Sequence, residues 1–189
     1  MAKRGHLFII SAPSGAGKSS ILSAILKKDP GLRYSISYTT RPPRGKERDG
    51  VDYYFISDSA FRKKIDAGEL AEWAEVHGHL YGTSARYLED SLDRGHDILF
   101  DIDVEGAKKL YAKYPEAILV FIAPPSMEEL KRRLVERGTD SAEAIERRLK
   151  NAKAEMAEAK WYHHVIVNDD LAQAVSELKA IIEQVRSQG

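Results

Sequence analysis

"SAPSGAGKSS", residues 11–20, sets a lysine and two serines directly after a run of small residues. The stretch keeps the spacing G-x-x-x-x-G-K-[ST] except at its first position, where Ala12 stands. Four apolar residues, Leu7–Ile10, precede it, and apolar residues at Ile21, Leu22, Ile25 and Leu26 follow at the spacing of one helix face. A loop between a strand and a helix turns successive backbone N–H groups toward one anion, and the helix N-terminus adds partial positive charge. Gly15 and Gly17 allow the backbone to wrap closely around phosphate oxygens. Ala12, Pro13, Ser14, Gly15, Ala16, Gly17, Lys18, Ser19 and Ser20 are therefore candidate ligands of a nucleotide phosphate chain. Lys18 is expected to reach the β- and γ-phosphates, and the Ser19 hydroxyl to ligate Mg2+.

A second set of groups lies in "DILFDID", residues 97–103. The nearly continuous apolar run predicts a central parallel strand, and Asp101 and Asp103 fall at its carboxyl end, the edge where parallel sheets bind ligands. One of these acids is expected to hold Mg2+ directly or through water, or to touch substrate. Capping of the following helix is the simpler alternative.

The rest of the chain reads as the frame for these groups. Its 189 residues suit one core with small insertions, and 43% hydrophobic with 31% charged residues suits a folded, water-exposed domain. Lys+Arg and Asp+Glu both total 29, which argues against general nucleic-acid or membrane-surface binding. With no cysteine, disulfides and thiolate metal sites are excluded. The apolar run in "MAKRGHLFII" is too short for a secretory signal, and none is long enough to span a bilayer, so a cytoplasmic location is expected.

Helices are predicted over Lys18–Lys28, "SDSAFRKKIDAG", Ala85–Arg94, "VEGAKKLYAKYP", Met127–Arg137, Ala142–Lys160 and Leu171–Arg186. Strands are predicted at His6–Ile10, "YSISYTT", "VDYYFI", on either side of "HGH", and at "DILFDID", "AILVFIAPP" and "HHVIVNDD". The strand–helix alternation predicts an α/β fold with a parallel sheet. From about Ser37 to Thr83 that rhythm breaks into clustered strands and polar turns, read as an inserted antiparallel subdomain.

Over nearly its whole length the chain resembles the guanylate kinases. The resemblance is carried by "SAPSGAGKSS", "SYTTRPPRGKERDGVDYYF", "ELAEWAEVHGHLYGTS", "ILFDIDVEG", "FIAPPS", "LKRRLVERGTDS" and "VIVNDD", in family order. It implies a three-layer phosphate-loop NTPase core over 1–36, 84–126 and 165–189, a mixed α/β GMP-binding insertion over 37–83 and a helical lid over 127–164. It further implies transfer of the γ-phosphate of ATP to GMP or dGMP, with Mg2+, within purine nucleotide metabolism. ATP and GMP or dGMP are the only partners it suggests: no nucleic acid, membrane or protein.

The resemblance assigns Ser37, Arg41, Arg44, Tyr53, Glu72, Tyr81, Thr83 and Asp103 to GMP. Arg41 and Arg44 suit a phosphate dianion, Tyr53 and Tyr81 can donate to the same phosphate, and Glu72 can accept from N1–H and the 2-amino group of guanine. Ser37 and Thr83 can satisfy O6 or steady that carboxylate. Arg133, Arg137 and Arg148 match lid arginines which, with Lys18 and Arg41, would stabilise the transferred phosphoryl group. Arg137 and Asn168 match adenine contacts, and Asp101 joins Ser19 at the metal. For the lid arginines the simpler alternative is pairing with nearby Glu128, Glu129, Glu136 and Glu146. Two rival functions share many of these residues: a phosphopeptide-binding module without turnover, and a kinase for another phosphate acceptor. The lysine of the loop and the lid arginines argue against the first, Glu72 against the second.

Overall fold

The computed structural model describes residues 3–76, 78–138 and 140–188. In chain order its elements are β1 (Leu7–Ser11), α1 (Lys18–Lys28), β2 (Leu32–Tyr34), β3 (Tyr38–Thr39), β4 (Tyr54–Phe55), α2 (Asp58–Asp66), β5 (Leu70–Val76), β6 (His79–Ser84) and α3 (Ala85–Asp93). There follow β7 (Asp97–Asp101), α4 (Val104–Lys113), β8 (Ile118–Ala123), α5 (Met127–Glu136), α6 (Ala142–Ala157), a 3-10 turn (Ala159–Trp161), β9 (His164–Val167) and α7 (Leu171–Gln188). Among the described residues no helix is long and apolar enough to cross a membrane.

Two compact units emerge, one of Met1–Leu7, Gly31–Phe100 and Glu105–Ala117, the other of Phe8–Pro30, Asp101–Val104 and Ile118–Gly189. In the second unit β1 pairs in parallel with β8, and β8 with β9. Phe8, Ile9 and Ile10 are fully buried, as an interior parallel strand requires. Helix α1 buries Ile21, Leu22 and Ile25 and packs on α7, which buries Ala174, Val175, Leu178 and Ile182. Each large aliphatic side chain removed from water contributes about 1.5–3 kcal/mol, so these faces fix where α1 starts. A smaller cluster of Leu130, Leu134 and Ala152 joins α5 to α6. Both helices begin on a serine cap: Ser126 Oγ accepts from Glu129 N–H, and Ser141 Oγ from Ala144 N–H.

In the first unit β2 pairs in parallel with β7, and a separate four-stranded sheet runs in the order β4-β3-β6-β5. Its β5–β6 and β3–β6 pairs are antiparallel, as expected of the insertion, but β3–β4 is parallel. Residues 40–53 between β3 and β4 are long enough to bring the chain back in the same direction. Phe61, Leu70 and Leu80 form the core beneath this sheet.

Three expectations are corrected in detail. "YSISYTT" is not one strand: its first residue, Tyr34, is the last of β2 on β7, with Ser35 N–H donating to Leu99 O at 3.0 Å, and the chain resumes as β3 against β6. One alternating run thus serves two sheets. "VDYYFI" is strand only at Tyr54–Phe55, because Asp52 accepts the Arg48 N–H at 2.7 Å and closes a turn. The long helix from Ala142 stops at Ala157 and tightens into the 3-10 turn, a common way to satisfy terminal groups. Of the two breaks expected at "HGH" and "GTDS", Gly78 and Gly138 adopt positive φ, while His77 and Thr139 lie outside the described residues.

Candidate active site

In the second unit β1 ends at Ser11 and α1 begins at Lys18, so the loop between them spans six residues. Gly15 and Gly17 sit at φ 95° and 92°, which side chains with a Cβ rarely adopt. A Cβ on Gly15 would press on Leu134 and Leu130, and one on Gly17 would collide with the Asn168 amide nitrogen. The loop is pinned from behind: Ala16 N–H donates to Pro13 O at 3.0 Å, and Asn168 Nδ2 donates to Ala16 O at 2.7 Å. The carbonyl of Ala16 is thereby turned into the protein; in the first turn of α1 the Ser20 N–H donates to Gly17 O at 3.1 Å, and the N–H groups ahead of it belong to the helix end that makes no bond within the helix. The first turn carries no acid and Gly17 supplies no side-chain cap, so the positive helix end is not neutralised locally.

A cavity of about 640 Å³ opens over this loop and is lined also by Asp101, Asp103, Arg133, Leu134, Arg137 and Glu155. Lys18 Nζ pairs with Asp101. Arg133 is held by Glu129 at 2.8 Å and by the Asn168 carbonyl at 2.9 Å. The simpler alternative, a helix-face pair with Glu129, is thus present, yet the same arginine borders the cavity. Arg148 donates to Ser14 Oγ at 2.9 Å and pairs with Asp140 at 3.1 Å, not with Glu146. Arg137 is the exposed C-cap of α5 at the cavity rim. Of the residues expected to hold ATP or act on its phosphates, Ser14, Lys18, Asp101, Arg133, Arg148 and Asn168 are thereby brought around one loop. Asn168 meets it through Ala16. Glu155 was missed. Burial pushes its carboxyl up, Lys18 pulls it down, and Asp103 pushes it up again. Only its place on α6 reveals it, since it looks like any helix-face charge in sequence.

In the first unit Glu72, 7% exposed, stands opposite Thr83 on neighbouring strands β5 and β6. Thr83 is fully buried, and its hydroxyl meets Ser37 Oγ at 3.0 Å. A buried glutamate thus stands in register with one member of a hydroxyl pair. Nearby Arg41, 5% exposed, donates from Nε to Tyr81 Oη at 3.2 Å and lies over the Tyr53 ring at 5.3 Å. Tyr53 and Tyr81 meet edge-on with ring centroids 6.0 Å apart. Arg44 is exposed and joins the group through its backbone N–H, which donates to Glu47 at 2.8 Å. Arg41 forks onto the same Glu47. Glu47 was the other omission. It sits in a charged Pro/Gly loop, where a carboxylate reads as solvated surface.

A phosphate loop between a buried parallel strand and a helix, with a lysine, an acid and arginines over it, defines a phosphate-loop nucleotide-binding α/β protein. The family model described as guanylate kinase matches residues 4–185, and the chain belongs to the guanylate kinase family. It is 51% identical to the guanylate kinase of Geobacter metallireducens, with 96% of this chain and 90% of the relative covered. Over 99% of this chain and 93% of the relative, it is 50% identical to the guanylate kinase of Geobacter sulfurreducens. The crystal structure of guanylate kinase from Anaplasma phagocytophilum superposes with a TM-score of 0.79 at 33% identity, covering 97% of this chain and 87% of that one. A shikimate kinase from Bacteroides thetaiotaomicron, at 13% identity and a TM-score of 0.53, shares the fold alone.

Proposed function

We propose that the protein transfers the γ-phosphate of ATP to GMP, and to dGMP, giving ADP and GDP or dGDP. The observation that carries this reading is Glu72, a buried glutamate in register with Thr83 of the Ser37–Thr83 hydroxyl pair, in the unit that also holds Arg41, Tyr53 and Tyr81. Guanine is the base whose edge offers two donors to such a group. Arg41, with Arg44 and the two tyrosine hydroxyls, is the seat for the monophosphate. ATP lies with its phosphates on the loop 12–17 and its adenine toward Arg137 and Asn168.

No nucleophilic side chain is needed. An oxygen of the GMP phosphate attacks the γ-phosphorus, the new P–O bond forms, and the bridging oxygen leaves with ADP. Negative charge spreads over the transferred group and the leaving oxygen, and Lys18, Arg133, Arg137 and Arg148 are the fixed cations set to stabilise it. Lys18 exchanges Asp101 for phosphate oxygens when ATP binds.

The donors present fit Mg2+. Ser19 offers a hydroxyl and Asp101 a carboxylate beside the phosphate seat, and Asp103 lines the same cavity. Held by Ser19 and Asp101, Mg2+ would supply neutralisation of the charge that develops on the phosphate chain. The reaction belongs to guanine nucleotide salvage and supply, and its place is the cytoplasm.

ADP release measured with GMP, dGMP, AMP, CMP and UMP as acceptors tests the proposal. GMP and dGMP should be used and the others should lag far behind. Absence of ADP release with GMP would leave a binding module instead.

A further inference from the structure

Arg41 is a buried cation, and a buried cation needs all its donors placed. Its guanidinium has five N–H groups. Nη1 donates to Glu47 Oε2 at 2.9 Å and to Pro42 O at 2.8 Å, Nη2 to Glu47 Oε1 at 3.0 Å, and Nε to Tyr81 Oη at 3.2 Å. Four donors are thereby accounted for. Glu47 takes the end of the fork, one hydrogen from each terminal nitrogen. The remaining Nη2 hydrogen therefore lies on the side edge, parallel to Nε–H and beside the Tyr81 hydroxyl. The rings of Tyr53 and Phe55, 5.3 and 5.9 Å from the guanidinium carbon, hold its plane. Glu47 Oε2 also accepts the Arg44 N–H at 2.8 Å, and Glu47 N–H returns to Arg44 O at 3.0 Å.

We propose that Glu47 is a positioning residue for the GMP phosphate: by taking the end of the Arg41 fork it reserves the side edge, with the Tyr81 hydroxyl, as the seat of two phosphate oxygens. The proposal rests on the reading of Arg41 as a ligand of that phosphate. Had Glu47 occupied the side edge, it would compete with the phosphate. Its end-on placement makes it a support. One carboxylate then ties the direction of Arg41 to the backbone at Arg44, two basic residues three positions apart, while the rest of the Pro/Gly loop is ordered mainly beyond Glu47, where Arg48 N–H meets Asp52 and Phe55 N–H meets Asp49. The Arg41 fork, and then the Arg44 N–H, hold the Glu47 carboxyl below the usual range, so it stays ionised around neutral pH. Without it, the end of the fork would lose its carboxylate partner, and the dianion would meet a guanidinium aimed only by Tyr81, Pro42 and the flanking rings.

The test compares Glu47→Gln, Glu47→Asp, Arg41→Met and the double variant Arg41→Met/Glu47→Gln, using KM for GMP, KM for ATP, kcat and the affinity for guanosine, which lacks the phosphate. Glu47→Gln is nearly isosteric at a side chain 27% exposed, so the fold should survive it. It should raise KM for GMP about tenfold or more, the size expected when a hydrogen bond to a charged group is lost. Guanosine affinity and KM for ATP should not move. Glu47→Asp, which keeps the charge, should recover part of the loss. Once Arg41 is gone, removing Glu47 should add no more than about twofold. If Arg41→Met impairs GMP use but Glu47→Gln leaves KM for GMP unchanged or lowers it, the positioning role is wrong while the GMP reading stands. Equal loss of guanosine and GMP binding also overturns it, since that marks a general structural role. An Arg41→Met variant with normal KM for GMP would remove the reading itself.

Discussion

Asn168 donates its side-chain amide to the carbonyl of Ala16 at 2.7 Å, across 152 positions of sequence. Both residues are buried, and the backbone carbonyl of Asn168 in turn accepts from Arg133 at 2.9 Å. One residue after β9 thus ties the phosphate loop and α5 together.

Asn168→Ala should therefore act on the loop before it acts on adenine. It leaves the buried carbonyl of Ala16 without its partner, at a cost of about 1–3 kcal/mol. The variant should unfold at lower denaturant concentration and show a raised KM for ATP, with KM for GMP little changed. Unaltered stability would mean the hydrogen bond does not anchor the loop.

Lys18→Met should keep the fold and lose the reaction. The Lys18 side chain reaches into the cavity over the loop, and its ammonium neutralises charge that grows as the phosphoryl group departs. Loss of such a group costs about 10²–10³-fold in kcat or more. Circular dichroism checks the fold and a coupled ADP assay the rate. Near-normal turnover in a folded variant would refute the role.

Acid should loosen α5 through Glu129. Hydrogen bonds from Arg132 and Arg133 hold its carboxyl down to about 2, against an ordinary 4.5. The folded state thus favours the ionised form. Its stabilisation is fully present above pH 4.5 and fades as pH falls from there toward about 2. Unfolding midpoints of wild type and Glu129→Gln should differ near neutrality and converge below about pH 2. A gap that stays constant across that range would show that the ion pairs contribute nothing pH-dependent.

What could be read from the sequence followed local rules. The phosphate loop is visible because Gly15, Gly17 and Lys18 fall within four residues and are flanked by two different apolar periods. Helix α7 is visible because Ala174, Val175, Leu178 and Ile182 recur on one face. The hidden parts depend on long-range pairing. Alternation in "YSISYTT" shows extended chain but not that Ser35–Ser37 crosses from β7 to β6. Glu47 matters through a fork to Arg41 that nothing in a charged loop announces, and Glu155 through a cavity that exists only once α6 is folded. Asn168 is expected at adenine, and its amide also donates to Ala16, a partner no spacing rule connects.

Guanine selectivity should depend on Glu72. N1–H and the 2-amino group form two parallel donors that a carboxylate can accept together. Adenine has a bare N1 and no amino group at C2, so AMP would leave the buried Glu72 facing a lone pair. Sites matched in this way reject the wrong substrate by roughly 10⁴-fold or more. Glu72→Gln keeps the size, removes the charge and turns one acceptor into a donor. The decisive measurement is kcat/KM for GMP and for AMP in wild type and Glu72→Gln. A large loss with GMP, a narrowed gap to AMP and an unchanged ATP affinity are predicted. Unchanged efficiency with GMP would contradict the account, because guanine would then be read by some other group.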